Sequence, residues 1–289
     1  MPATVPRRDR LPLPLTSANW LILLFIVAAM LLPMLNVLAV SFSTNVNSEV
    51  PGLVLFPRPL SFEGYQLIWS YMNLWRPLLN TVYVSTVGTL IHVLLSCLGG
   101  YILIQRDLPF RKLMTSFILL TMTIPSELTL VAIYAVNKQY HLINTYAGLI
   151  VNGAASGFSI LLMRNYFLNV PSSLAEAARI DATPEYRIFW KIFMRLSRPG
   201  VITIATLQLI SRWNNISTVV TLISDLKKTT LPVILRWLLF DQATTSGLAY
   251  IFANAKMAAV IITAVPLVIV YFAAQRYFVA GAFIGSVKG

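Results

Sequence analysis

Residues 172–192, SSLAEAARIDATPEYRIFWKI, decide how this chain is read. The stretch is charged, helical in pattern, and set between two strongly apolar blocks. Ser173 and Glu176 stand at the S-x-x-E spacing of a capping box, which predicts a helix start there, with Pro171 ending whatever precedes it. Leu174, Ala177, Ala178 and Ile180 share one broad side of that helix, while Glu176, Arg179 and Asp181 lie elsewhere. Thr183 and Pro184 give a second start signal, a cap followed by proline at the first helical position. Tyr186, Phe189, Trp190 and Phe193 then recur at helical spacing. The stretch reads as two short helices with a bend near Ala182. Two roles suit a capped helix with so little bulk at its centre: lying on lipid, or docking into a groove of another protein. The sparse Lys and Arg of the first helix favours the groove.

The surroundings make such an insert unusual. Of 289 residues, 57% are hydrophobic and 11% charged, with a mean hydropathy of +0.74. Soluble domains carry about 25% charged residues, so the chain reads as an all-α, polytopic membrane protein. Runs of the roughly 20 apolar residues needed to cross a bilayer occur at about 19–42, 78–104, 113–136, 146–167, 200–223 and 257–278, predicting six spans. Pro33, Pro125 and Pro266 fall inside them, which membranes tolerate when neighbouring helices satisfy the freed carbonyls. The first run is too long for a signal peptide and lacks a small-x-small cleavage site, so it reads as a retained span.

The net charge of +12 is explained by position. Lys and Arg concentrate in one set of connections: Arg7, Arg8 and Arg10, Arg106, Arg111 and Lys112, Arg164, and the run from Arg179 to Arg198. That bias puts both termini and the insert in the cytoplasm. No basic face interleaved with aromatics appears, which excludes nucleic-acid binding. The single Cys97 lies in an apolar run and offers no disulfide framework. Residues 231–240, LPVILRWLLF, are too short to span and read as a helix packed on the outer face.

Polar groups at membrane depth usually face a bundle interior or a cavity. Glu127 beside Pro125 is one; Arg212, Trp213, Asn214 and Asn215 in the fifth span form another group. Aromatic faces with amides and carboxylates bind sugars, so Trp213, Asn214 and Asn215 are candidate sugar contacts, with interhelical bonding as the alternative. An Arg212–Glu127 ion pair is a further expectation. Asn152 and Ser156 share the fourth span with Gly153 and Gly157, a small-residue spacing suited to helix packing; Asn152, Arg212 and Glu127 are nonetheless placed with Trp213, Asn214 and Asn215 on the expected substrate path. His92 reads as a satisfied interior histidine. No cluster has metal-ligand spacing, and no Ser or Cys sits in a nucleophile elbow.

The insert resembles the EAA loop of permease subunits in ATP-binding-cassette importers. Glu176, Ala177, Ala178, Asp181 and Ile192 match that pattern, whereas Ala182 replaces its glycine, Met194 its leucine and Arg195 its proline. With RWNN, TLP at residues 230–232, QRYF and the terminal GSVKG, the resemblance extends to the maltose-type second permeases of the carbohydrate-uptake branch. It implies a type I ABC importer permease fold: one transmembrane domain over residues 1–289, six transmembrane helices, and a cytoplasmic coupling loop at 169–199. Glu176, Ala177, Ala178, Asp181 and Ala182 would then meet the ATPase. Alanine at 182 leaves the bend to be made differently, with Thr183 and Pro184 helping.

The resemblance also implies partners: a second homologous permease, a homodimeric ATP-binding-cassette ATPase and an extracytoplasmic solute-binding protein. The chain has no G-x-x-x-x-G-K-[ST] loop, so ATP and Mg are expected on the ATPase subunits, with no cofactor and no catalysis here. MRNYF and the YFVAGAFIGSVKG ending look like the subgroup for polysaccharide-derived oligosaccharides, including uronates such as alginate fragments. A gradient-driven secondary transporter or channel for a polar solute is the rival. It needs coupling carboxylates, for which Glu127 is the one good candidate, and leaves the insert unexplained.

Overall fold

Hydropathy and helix breakers together set the architecture. A computed structural model describes residues 13–57, 59–240 and 250–285, and all regular structure among them is helical. The arginines expected near the N-terminus, Arg58 and the last four residues of the GSVKG ending lie outside the described residues.

The first expected span is α1 (Leu13–Ser41), unbroken despite Pro33. Residues 43–77 hold α2 (Asn45–Ser48) and α3 (Glu63–Met72). The second span is α4 (Trp75–Ile102). The third is divided into α5 (Arg111–Met122), a 3-10 turn at Ser126–Thr129 and α6 (Leu130–Gln139), with a 93° bend. Pro125 lacks the N–H that would continue α5. The fourth divides into α7 (Tyr146–Val151) and α8 (Gly157–Leu168), with Gly153 at φ +76° between them. Positive φ is nearly free for glycine. The insert holds α9 (Ser172–Ile180), α10 (Glu185–Ile188), a π-helical turn at Phe189–Phe193 and α11 (Met194–Leu196). The fifth span divides into α12 (Arg198–Trp213) and α13 (Ser217–Leu222). α14 (Leu231–Phe240) is short and amphipathic, burying Leu231, Val233, Ile234 and Leu238. The sixth is α15 (Ala253–Gly285), continuous through Pro266.

Among the described residues, then, the third, fourth and fifth expected spans are divided and the first, second and sixth are continuous helices. Three helices among the described residues are long and apolar enough to cross a membrane, and a fourth span results if the bent α5–α6 pair counts as one. Hydropathy averages over windows and is blind to the prolines, glycines and asparagines that divide the others.

Two compact units make up the chain, residues 1–71 with 247–261, and residues 72–246 with 262–289. In the first, the Glu49 carboxylate accepts from the Ala253 N–H at 2.8 Å and from the Tyr250 hydroxyl at 3.0 Å. An anion there stabilises the otherwise unsatisfied N–H groups that open a helix. Asn254, fully buried, donates to the Ser43 carbonyl and the Asn45 side chain.

In the second unit α4 is the central rod. Gly100 lets it approach α8: an added Cβ would lie 2.8 Å from the Arg164 nitrogen and 3.0 Å from the Met163 Cβ. Gly157 does the same for α8 against α5, where a Cβ would lie 2.9 Å from the Ile118 carbonyl. One buried cluster joins Val84, Leu149, Val219, Leu222 and Val233. Beside it Asn80 donates to the Lys227 and Thr229 carbonyls and accepts from Tyr146. A second cluster joins Cys97, Met163, Phe167, Ile188 and Ile204, and it carries the insert.

Candidate functional site

The insert is anchored through its bend. α9 opens after Pro171 with no side-chain cap. The expected capping box does not form, because Glu176 turns instead to Arg106, with Oε1 2.9 Å from Nη2. A guanidinium outcompetes a neutral backbone N–H for a carboxylate. At the other end Ala182 sits at φ +52°. Its N–H donates to the Arg179 carbonyl at 3.0 Å, and the Thr183 N–H reaches the Ala178 carbonyl at 2.9 Å. This is the helix closure usually built on glycine. The bend is therefore made in the usual way after all, with alanine carrying a left-handed backbone at a cost of about 1 kcal/mol.

Glu185 bridges the two halves of the insert to α4. Its Oε1 accepts from Arg179 Nε at 2.6 Å, and its Oε2 accepts from the Tyr101 hydroxyl at 2.5 Å. Arg179 Nη2 also donates to Gln105 Oε1 at 3.2 Å. The Arg179 guanidinium, then the Tyr101 hydroxyl, hold the Glu185 carboxyl below the usual carboxylate range, and Glu185 in turn raises Arg179. Under this network lies an aromatic box. Tyr101 packs on Phe193 and Phe189 with ring centroids 5.0 and 5.2 Å away, and Phe167 meets Phe193 edge-on at 5.6 Å. The π-helical turn buries both Phe189 and Phe193, while Tyr186 and Trp190 stay exposed. π-turns inside helices recur at functional positions.

The two faces of α9 differ. Ala175 is buried and Ala178 packs on the aromatic cluster. Ala177, Asp181 and Ala182 are exposed, as are Leu174 at 45% and Ile180 at 86%. Ala175 is the alanine that α9 turns inward, while Ala177 stays on the open side. A cleft of about 560 Å³ runs along this region, lined by Gln105, Arg106, Glu176, Arg179 and Glu185.

A second cleft, of about 490 Å³, opens where the third and fifth spans break. Glu127, Thr129, Ser211, Asn214, Asn215 and Thr218 line it. Asn215 also caps α13, accepting from the Thr218 N–H and donating to its hydroxyl, each at 3.1 Å. The other residues expected on a substrate path sit elsewhere. Trp213 is buried and donates its indole N–H to the Thr263 carbonyl at 3.1 Å. Asn152 donates to Asn137 Oδ1 at 3.1 Å and to the Gly148 carbonyl, joining segments as interhelical bonding would.

Arg212 does not pair with Glu127. It is buried, and its two terminal nitrogens donate to the Leu149 and Ile150 carbonyls, each at 3.1 Å. Those carbonyls end α7 and have no helical partner, so a cation satisfies them as a C-terminal cap would. A Cβ at Gly88 would overlap the guanidinium. Next to it His92 is fully buried, with Nδ1 2.8 Å from the Gly153 carbonyl and Nε2 2.8 Å from Ser159 Oγ. A carbonyl only accepts, so Nδ1 carries the proton and Ser159 donates to Nε2. Among the described residues no group of three or more His, Cys, Asp or Glu could hold a metal.

A helical membrane protein with broken spans around a polar cleft, and a tethered helical insert with an open apolar face, has the build of a permease. The chain belongs to the family of binding-protein-dependent transport system inner membrane components, whose model matches residues 97–283. It is 31% identical to the arabinooligosaccharides transport system permease protein AraQ of Halalkalibacterium halodurans, over 94% of this chain and 97% of that one. It is 30% identical to the polygalacturonan/rhamnogalacturonan transport system permease protein YtcP of Bacillus subtilis, over 92% of this chain and 96% of the relative. A bacterial ABC transporter involved in the import of the acidic polysaccharide alginate contains a chain that superimposes with a TM-score of 0.84. At 24% identity, covering 96% of this chain and all of that one, the match establishes the fold: a type I ABC importer permease. The gradient-driven alternative gives way to this family membership.

Proposed function

We propose that this chain is one of two permease subunits of an ATP-driven importer of oligosaccharides in a bacterial cytoplasmic membrane. Both termini and the insert face the cytoplasm, in keeping with the concentration of Lys and Arg. A homodimeric ATPase holds ATP and Mg, a solute-binding protein delivers the sugar outside, and this chain catalyses nothing itself. Several relatives are named for saccharide transport, among them arabinooligosaccharides, polygalacturonan/rhamnogalacturonan and melibiose/raffinose/stachyose.

One observation carries the reading. α9 is tied to α4 on one side through Arg179, Glu185 and Tyr101, and presents Ile180, 86% exposed, on the other. A helix with one side fastened and an apolar residue held out suits docking in a groove of a partner. Glu176, Ala177, Asp181 and Ala182 flank that contact. When the ATPase dimer closes, displacement of α9 passes through Glu185 and the aromatic box into α4, and from there to α8 and α12, which pack on it. The cleft of Glu127, Asn214 and Asn215 lies on the substrate path. Proteoliposomes holding the whole complex test this: oligosaccharide uptake should require ATP and the binding protein together. Uptake at full rate without the ATPase contradicts it.

A further inference from the structure

The cleft at the two breaks carries a reading of its own, which rests on the oligosaccharide transport just proposed. Non-helical backbone at membrane depth persists only where protein buries it or where it lines a watery cavity. Here the third span breaks at Pro125 with a 93° bend, and the fifth breaks at Asn214 and Asn215. Both breaks border the same 490 Å³ space, within the range of about 300–1,000 Å³ usual for small-ligand clefts. Among the described residues Glu127 is the one charged residue in its lining, and the polar remainder includes hydroxyls and amides from Thr129, Ser211, Asn214, Asn215 and Thr218. The cation nearest in sequence, Arg212, is buried and engaged with the Leu149 and Ile150 carbonyls. Its two terminal nitrogens are thus committed within the fold and do not line the cleft.

We infer that this cleft is a subsite for an uncharged, hydroxyl-rich sugar unit, with Glu127 as its specificity-determining residue. A carboxylate accepts hydrogen bonds from vicinal hydroxyls, and such charge-assisted bonds are roughly twice as strong as neutral ones. A uronate unit in the same place would bring a second negative charge to hydrogen-bonding range of Glu127, and like charges repel. Neutral units are accepted here and uronate units are resisted, whatever the rest of the oligomer carries.

The test is uptake by the complete transporter in proteoliposomes, with its binding protein, of neutral tri- and tetrasaccharides and of uronic-acid oligomers of the same lengths. Because the binding protein is the same for wild type and variant, the change in the uronate-to-neutral ratio reports the permease alone. Glu127→Gln should raise that ratio about tenfold, mainly by weakening neutral uptake, whereas Glu127→Asp should keep the wild-type preference. ATP hydrolysis by the variant complex checks that it assembles; if Glu127→Gln does not assemble, Glu127→Ala, read by the same ratio against wild type, decides. An unchanged uronate-to-neutral ratio in a variant that assembles overturns the inference while leaving sugar transport intact. Failure of wild type to move either class overturns both.

Discussion

The Tyr101 hydroxyl donates to the Glu185 carboxylate at 2.5 Å although the two lie 84 residues apart in sequence. Tyr101 belongs to the α4 rod and Glu185 to the second half of the insert, so this bond and the Arg179–Glu185 pair close a loop from α9 through the bend to α4. Tyr101→Phe keeps the aromatic box and removes the bond. The expected outcome is a complex that assembles and hydrolyses ATP but moves several-fold less sugar per ATP. Glu185→Gln, which still accepts from Tyr101 but loses the charge facing Arg179, should fall between wild type and Tyr101→Phe. Paired measurement of hydrolysis and uptake in proteoliposomes reads the difference.

The same carboxylate makes the insert sensitive to acid. Arg179 and Tyr101 hold Glu185 below its usual range in the folded state, so its contribution is complete above the unfolded carboxylate pKa of about 4.3. It is lost as pH falls through the depressed folded value. Amide-hydrogen protection of residues 178–188 should therefore weaken below about pH 4 in wild type, and should lose that component of its pH dependence in Glu185→Gln.

Ala182 holds a backbone that glycine adopts with less strain. Ala182→Gly should stabilise the insert by about 1 kcal/mol, seen as slower hydrogen exchange across the bend, with transport unchanged. Slower transport with no change in exchange would mean that the alanine methyl matters to the partner rather than to the bend.

Arg212 and Gly88 form a matched pair. Arg212→Ala leaves the Leu149 and Ile150 carbonyls without their donors and should cost about 2–4 kcal/mol. Gly88→Ala drives a methyl into the guanidinium and should destabilise in the same direction. The double variant should be less destabilised than the sum, because the methyl added at position 88 then occupies space that the guanidinium vacated; a coupling of about 0.5–3 kcal/mol is the range for contacting residues. Thermal unfolding of the purified complex measures all three.

Glu176 and Arg106 are both substantially exposed, at 47% and 77%. Exposed pairs contribute about 0–1 kcal/mol, so Glu176→Ala should leave thermal stability within about 1 kcal/mol of wild type. Any large loss of coupled transport in that variant then reports a contact with the ATPase and not a folding defect.

Much of the class was legible in the sequence because it depends on local pattern. Hydropathy located the apolar runs, and Pro184 with the aromatic spacing announced two helices and the bend at Ala182. Contacts between distant segments left no such mark. Nothing in a single sequence pairs Glu185 with Tyr101, or turns Glu176 from its own helix start to Arg106. Arg212 and Glu127 share membrane depth, which suggested a pair, yet the guanidinium donates to the open carbonyls at the end of α7. Trp213 looked like a sugar platform because aromatic residues bind sugars; burial and the Thr263 carbonyl gave its indole another role.

The central claim is that α9 is gripped by an ATPase. Cys97, the one native cysteine of this chain, is fully buried, so Ile180→Cys gives the permease a single accessible thiol in the assembled transporter. A short bifunctional crosslinker should join that position to the ATPase subunit, with a yield that changes between nucleotide-free and ATP-bound complex. Labelling of the thiol by a membrane-impermeant reagent added from outside the cell, with no crosslink to the ATPase, would contradict the account.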